Sequence, residues 1–410
     1  MQDGRVLGRR RRGALIGVVG IAVSALVLSA CSSGGSTSGS ATGAGSGGGA
    51  TTTEAPSAVD IAITPSGSGT IDVTTPIVVK ASNGTLKQVT VTNPSKGTTV
   101  TGTTSSDGST WTSNEALGYG VAYQVDAVGA DSSGKTKEQK GTVTTLTPSS
   151  QVNSNMVPAP SSVSSTGIGV GQPIVFQFVK PVKNRALVQQ HLSVTSTAGD
   201  KGAWYWVSSS EVHYRGENFW TPNSTITVNA STYGLDFGGG AYGAEDRQET
   251  YHVHDAWVAK ADGNTSQMQI FDNGNLVNTM PISMGKDATP THIGTHVISA
   301  KNQSVQMNSC SYGVCSGPGS YNETEYWAER MSNDGEFVHE NPATVSVQGH
   351  ANVSHGCINL SEANAMWFFN HLGIGDVVEV SNSGGPVLPL NDTYGDWAVP
   401  WSTWSAGNAS

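Results

Sequence analysis

The chain has 410 residues, with 21 Lys plus Arg against 31 Asp plus Glu and a net charge of −10; only 13% of its residues are charged. An acidic balance of this kind argues against nucleic-acid partners, which need a basic face. Sparse charge with 51 Gly and abundant Ser and Thr fits an extracytoplasmic, mainly β protein, long enough for two or three ordinary cores.

The N-terminus carries Arg9 to Arg12, an apolar run from Ala14 to Leu28, and then Leu28-Ser29-Ala30-Cys31. This is the layout of a bacterial lipoprotein signal peptide. Residues 1–30 are expected to be removed and Cys31 to carry diacylglycerol on its sulfur. The apolar run is short for a spanning helix and ends at small residues, which weakens the alternative of an uncleaved anchor. The expected location is therefore the extracytoplasmic face of the cell membrane, held by the lipid. Removing residues 1–30 leaves 16 basic and 30 acidic side chains, a mature charge of −14. Residues 31–56 are nearly all Ser, Gly, Thr and Ala, which bury too little apolar surface to fold. They form a tether of roughly 25–30 Å as a coil and ~85 Å drawn out.

Residues 57–148 hold short alternating segments, with Val121, Tyr123, Val125 and Ala127 set against Ala122, Gln124 and Asp126 between Gly, Asn and Ser turns. That period predicts half-buried antiparallel strands in an immunoglobulin-like sandwich without its disulfide, with Trp111 in the core. Residues 149–250 repeat the style in Ile174-Val175-Phe176-Gln177-Phe178, Trp204-Tyr205-Trp206-Val207 and Thr225-Ile226-Thr227-Val228, a second sandwich. Its aromatics are read as core rather than as a carbohydrate platform.

From residue 251 to 381 the pattern stays β-rich. Met268 and Ile270 alternate with polar residues, and Asp272-Asn273-Gly274-Asn275 signals a hairpin turn. One helix is predicted, with Ser361 as N-cap, Ala365, Met366, Phe369 and Leu372 on one face, and Gly373 at its end. Residues 382–410 carry Trp397, Trp401 and Trp404 and are expected to pack back on this third domain. Cys310 and Cys315 lie close enough in sequence for a local disulfide in an oxidising compartment. With Cys31 lipidated, Cys357 is then the unpaired thiol.

That thiol lies in Ser354-His355-Gly356-Cys357-Ile358-Asn359-Leu360, with Phe337-Val338-His339 upstream. A cysteine nucleophile needs a base or cation to hold the thiolate, backbone N–H groups to bind an oxyanion, and a sharp turn that exposes the sulfur. His339 and His355 are candidate bases, and Gly356 lets the N–H groups of Gly356 and Cys357 point into one space as an oxyanion hole. A zinc site from His339, His350, His355 and Cys357 has no diagnostic spacing and would occupy the thiolate, so no metal or cofactor is expected. Glu323, Glu325, Glu336 and Glu362 show no pairing in sequence and are read as exposed charges, which disfavours a glycosidase. His252, His254, His292, His296 and His371 are read as ordinary residues.

These motifs, with the Gly285 to Thr291 run Gly-Lys-Asp-Ala-Thr-Pro-Thr and the Trp-rich tail, resemble the L,D-transpeptidases that cross-link peptidoglycan. The likeness is to the actinobacterial lipoprotein type with two immunoglobulin-like domains, and it covers roughly residues 251 to 408. It implies that Cys357 is the nucleophile and His339 its base. Ser354, His355, Asn359 and Met307 would shape the site, with Tyr321 on a lid from Met307 to Trp327. It also implies partners: a tetrapeptide stem as donor, the diamino acid of a second stem as acceptor, and carbapenem-type β-lactams as inhibitors. The chain departs from the family at Glu340, where Ser or Gly usually follows the base. That change is silent if only the backbone carbonyl orients the imidazole, and favours the charged imidazole if a carboxylate touches it. The same cysteine would also serve an L,D-carboxypeptidase or a protein-to-wall transpeptidase, and a wall-binding lipoprotein is the non-enzyme alternative.

Overall fold

The computed structural model describes residues 56–410 apart from 313–314 and 318–319. The expected signal peptide, the expected lipidation at Cys31 and the expected tether as far as residue 55 lie outside the described residues. In the first sandwich, a four-stranded sheet (Asp60–Thr64, Val78–Ser82, Thr110–Ser113, Gly102–Thr104) faces a five-stranded one built around Ala122–Ala130. Tyr123, Val125 and Ala127 are buried, while Ala122 and Gln124 face out. Trp111 is also in this core. The second sandwich pairs Ile174–Phe178 with Ser154–Val157 and Glu211–Gly216, over a second sheet of Leu192–Ser196, Thr225–Ala230 and Arg247–His252. Its aromatics Phe176, Phe178, Trp204 and Trp206 are core.

The third domain packs two sheets against each other. One runs in the order Asn275–Pro281, Gln267–Asp272, Trp257–Asp262, Val377–Ser381, Gly294–Val297, and the other in the order Ala300–Asn308, Asn322–Arg330, Phe337–Glu340, Ile358–Leu360. Met268, Ile270, Met280, Met284, Val338, Ile358 and Leu360 fill the space between them. The hairpin turn has Asn273 and Gly274 both at positive φ, 49° and 83°, the conformation for which Asn-Gly is the favoured pair. Helix Glu362–His371 is capped by the Ser361 side chain, which accepts from the Asn364 N–H. Its buried face differs from the expected one. Ala365, Phe368 and Leu372 point inward, whereas Met366 is 36% exposed and Phe369 sits at the edge against Trp327 and Lys301.

The second and third domains meet backbone to backbone. Gly169 and Gly171 donate to the Ile374 and Gly375 carbonyls at 2.9 Å each. A Cβ on Gly169 would come within 2.2 Å of the Asp376 nitrogen, so only glycine allows the approach.

The tail meets the expectation that it returns to the third domain only in part. Val387 and Leu388 do pair with Ile293 there. The indoles converge on Arg215 of the second sandwich, with ring centroids of Trp397 at 4.8 Å, Trp401 at 5.6 Å and Trp404 at 4.5 Å from the guanidinium carbon, and Trp397 also packs against the cluster that includes Val297 of the third domain. Trp404 Nε1 donates to the Ala203 carbonyl and Trp397 Nε1 to that of Gly171, both at 2.9 Å. A buried guanidinium needs aromatic faces and carbonyl acceptors, and Arg215 finds both in the tail. It donates to the Asp396 and Val399 carbonyls.

Candidate functional site

Parallel pairing of Phe337–Glu340 with Ile358–Leu360, in the register Val338 to Ile358 and His339 to Asn359, brings the two motifs together. Strand alternation sends Val338 into the main core. On the opposite face, Phe337 and Cys357 cluster with Met307 and Ala328, the half-buried Tyr321 packing against them.

The turn before Cys357 is tightly held. Gly356 has φ of 129°, a conformation that favours glycine, and a Cβ there would meet Glu336 at 3.4 Å. Ser354 Oγ donates to the Cys357 carbonyl at 2.6 Å and accepts the Gly356 N–H at 3.1 Å. Thr291, at the end of the Gly285 run, donates to the Gly356 carbonyl at 2.8 Å and accepts the Gly285 N–H at 2.9 Å. These contacts correct the oxyanion assignment in part. The Gly356 N–H is engaged by Ser354, whereas the Cys357 N–H has no acceptor among the described residues.

Cys357 is a free cysteine, 7% exposed, with its sulfur 3.5 Å from the Gly335 carbonyl. Its sulfur is among the groups that favour charge on the His339 imidazole. The Nδ1 of His339 lies 2.6 Å from the Glu340 carbonyl and 3.2 Å from the Glu325 carboxylate. Two oxygens facing Nδ1 require a proton on it, which leaves Nε2 for the sulfur. Burial opposes charge on this imidazole, but the Cys357 sulfur and the Glu325 carboxylate outweigh it and push His339 up to about 10. At position 340 the backbone carbonyl is what orients the ring, and the carboxylate that faces it comes from Glu325.

Sequence reasoning missed Glu325 and read it as an exposed charge. Its only trace is that Tyr321, Glu323 and Glu325 share the period of one strand face.

His355 sits differently. It is exposed, its Nε2 is 3.0 Å from Lys286 Nζ, and its ring is 5.3 Å from that of Tyr321. Partial burial and the Lys286 charge push it down, so it stays neutral at the rim. Asn359 is buried, with its backbone bonded to Ser283 and its Nδ2 3.4 Å from Thr344. Cys357, His339, Asn359, Glu325, Met307 and Tyr321 help line a cleft of about 180 Å³. His350 is exposed and is not among its lining residues. Cys310 and Cys315 form a disulfide at the start of the segment that leads to Tyr321. A cationic imidazole beside a thiol in an open cleft is equipped for nucleophilic acyl transfer.

Comparison with known proteins agrees in domain order. Residues 68–236 match the bacterial Ig domain and residues 256–380 the L,D-transpeptidase catalytic domain. L,D-transpeptidase 2 of Mycobacterium tuberculosis (strain CDC 1551 / Oshkosh) is 37% identical over 340 residues, 83% of this chain and 82% of that protein. L,D-transpeptidase 5 of Mycobacterium tuberculosis (strain H37Rv) is 32% identical over 341 residues, 82% of this chain and 73% of that protein. Among solved structures, an L,D-transpeptidase from Mycobacterium smegmatis is 31% identical, with a TM-score of 0.46 over 56% of this chain and 99% of that one.

Proposed function

The chain belongs to the L,D-transpeptidase family, and on that premise we propose that it forms 3→3 peptidoglycan cross-links through a thioester on Cys357. The observation that carries this is that paired strands bring His339 and Cys357 to the lining of one cleft.

In the first step the Cys357 thiolate attacks the carbonyl between the third residue and the terminal D-alanine of a donor tetrapeptide. The Cys357 N–H is the available donor for the oxyanion, worth a few kcal/mol in comparable sites. The tetrahedral intermediate collapses with cleavage of the C–N bond. His339 Nε2 passes its proton to the departing amine, and D-alanine leaves. In the second step neutral His339 takes a proton from the side-chain amine of the acceptor's diamino acid. That amine attacks the thioester, the C–S bond breaks, and the thiolate and imidazolium are restored. Glu325 and the Glu340 carbonyl keep Nδ1–H in place through both steps, which makes Glu325 a positioning residue. Carbapenems, whose strained ring offers an activated amide carbonyl, are expected to acylate the same sulfur.

The anchored, extracytoplasmic location belongs to the same proposal and rests on the motif ending at Cys31. A Cys31→Ala variant should leave the membrane fraction. The cross-linking reaction is tested by incubating the protein with a disaccharide-tetrapeptide and analysing products by tandem mass spectrometry. A dimer lacking one D-alanine and linked 3→3 is expected; tripeptide alone would mean hydrolysis, and no turnover would contradict the assignment.

A further inference from the structure

Directly behind the catalytic turn, His292, Asp334 and Glu336 bring one imidazole nitrogen and two carboxylates together, with ligand atoms all within 4.8 Å of one another. His292 Nδ1 is hydrogen-bonded to Glu336 Oε1 at 3.0 Å, through a proton that a cation would replace, and lies 3.7 Å from Asp334 Oδ2. A cation bound at about 2.0–2.2 Å to such donors separates them by roughly 3.4 Å in a tetrahedral site, so these spacings straddle the required one.

The donors are also oriented by an outer layer. The His292 backbone N–H donates to Glu336 Oε1 at 2.8 Å, and His296 Nε2 lies 3.2 Å from Glu336 Oε2. The Ser332 hydroxyl donates to Asp334. Support of this kind, with each ligating carboxylate held by its own hydrogen bond, is what metal sites build. Charge points the same way. Asp392 accepts the Asn333 N–H and its charge reaches Asp334, so three carboxylates meet His292 and His296 with no Lys or Arg among the groups acting on Asp334 or Glu336.

We propose that His292, Asp334 and Glu336 form a divalent-cation site of zinc class, completed by water, on the turn that presents Gly335 to the Cys357 sulfur. Nitrogen with carboxylate oxygen is a donor set that zinc takes readily, whereas calcium and magnesium prefer oxygen alone. Gly335 lies between two of the three ligands, and its carbonyl is the one 3.5 Å from Cys357 Sγ. A bound cation would therefore fix the carbonyl that faces the nucleophile without touching the nucleophile.

The test is isothermal titration of zinc chloride into Cys357→Ala protein, a background that removes the thiolate as a competing ligand. One zinc per chain is expected, with affinity reduced ~10-fold or more in His292→Ala and in Asp334→Asn, and unchanged in His339→Ala. Asp334 is half-exposed, so its variant decides the matter if His292→Ala fails to fold. An absence of zinc binding, equal affinity in Asp334→Asn, or loss of binding in His339→Ala would each overturn the site.

Discussion

Two buried histidines, His339 in the cleft and His213 beneath the C-terminal tail, each lie against carboxylates, and both are pushed upward, to about 10 and about 9. In each case burial opposes the charge and acidic neighbours overcome it. The difference lies in the second ring nitrogen. His213 spends both, with Nδ1 2.9 Å from Asp396 and Nε2 2.7 Å from Glu211. His339 commits only Nδ1 to protein oxygens, and its other nitrogen is left for a sulfur that substrate can reach. The same electrostatic arrangement thus makes a latch where it is saturated and a reactive pair where one position is left for a thiol.

The largest separation of the two roles should come from His339→Ala. Loss of the base is expected to slow carbapenem acylation by about 10² to 10⁴-fold while the protein still folds. A wild-type rate in this variant would move the base elsewhere, with His355 the next candidate.

Breaking the latch should do the reverse. Asp396→Ala leaves a buried imidazolium short of its partner and loosens the tail that covers Arg215, so stability should fall by about 3–5 kcal/mol. The folded fraction should still acylate at the wild-type rate. The pH dependence has a definite sign. Because the folded value of His213 is raised, its stabilisation is fully present below about pH 6.5 and is lost as pH rises through about 9. Thermal melts of wild type should show that alkaline loss, and Asp396→Ala should show less of it.

The smallest effect sharpens the comparison from the other side. Glu325→Gln keeps a hydrogen-bond acceptor near Nδ1, and the Glu340 carbonyl remains, but the carboxylate charge is gone. Acylation should slow about tenfold, and the alkaline limb of its pH profile should move to lower pH as the imidazolium becomes easier to deprotonate. An unchanged profile would leave the Glu340 carbonyl as the sole orienting group.

The sequence carried the local features well. The Asn273-Gly274 turn, the Ser361 cap and the alternation through Tyr123, Val125 and Ala127 each follow from a few neighbouring residues, and so does the turn at Gly356. What escaped depended on register and on partners far along the chain. Glu325 meets His339 only because two strands pair at a particular offset. The tail tryptophans could have covered either domain, and the deciding residue, Arg215, lies some 180 positions away. On the short helix two apolar stripes were available, and the sheet beneath selects Phe368 over Met366. The Gly356 N–H looked free until Ser354 claimed it, a contact set by side-chain rotation that spacing does not encode.

The most direct test of the central claim is intact-protein mass after incubation with a carbapenem, compared between wild type and Cys357→Ala. A single drug mass on wild type and none on Cys357→Ala is the predicted result. An adduct that persists in Cys357→Ala would contradict Cys357 as the nucleophile.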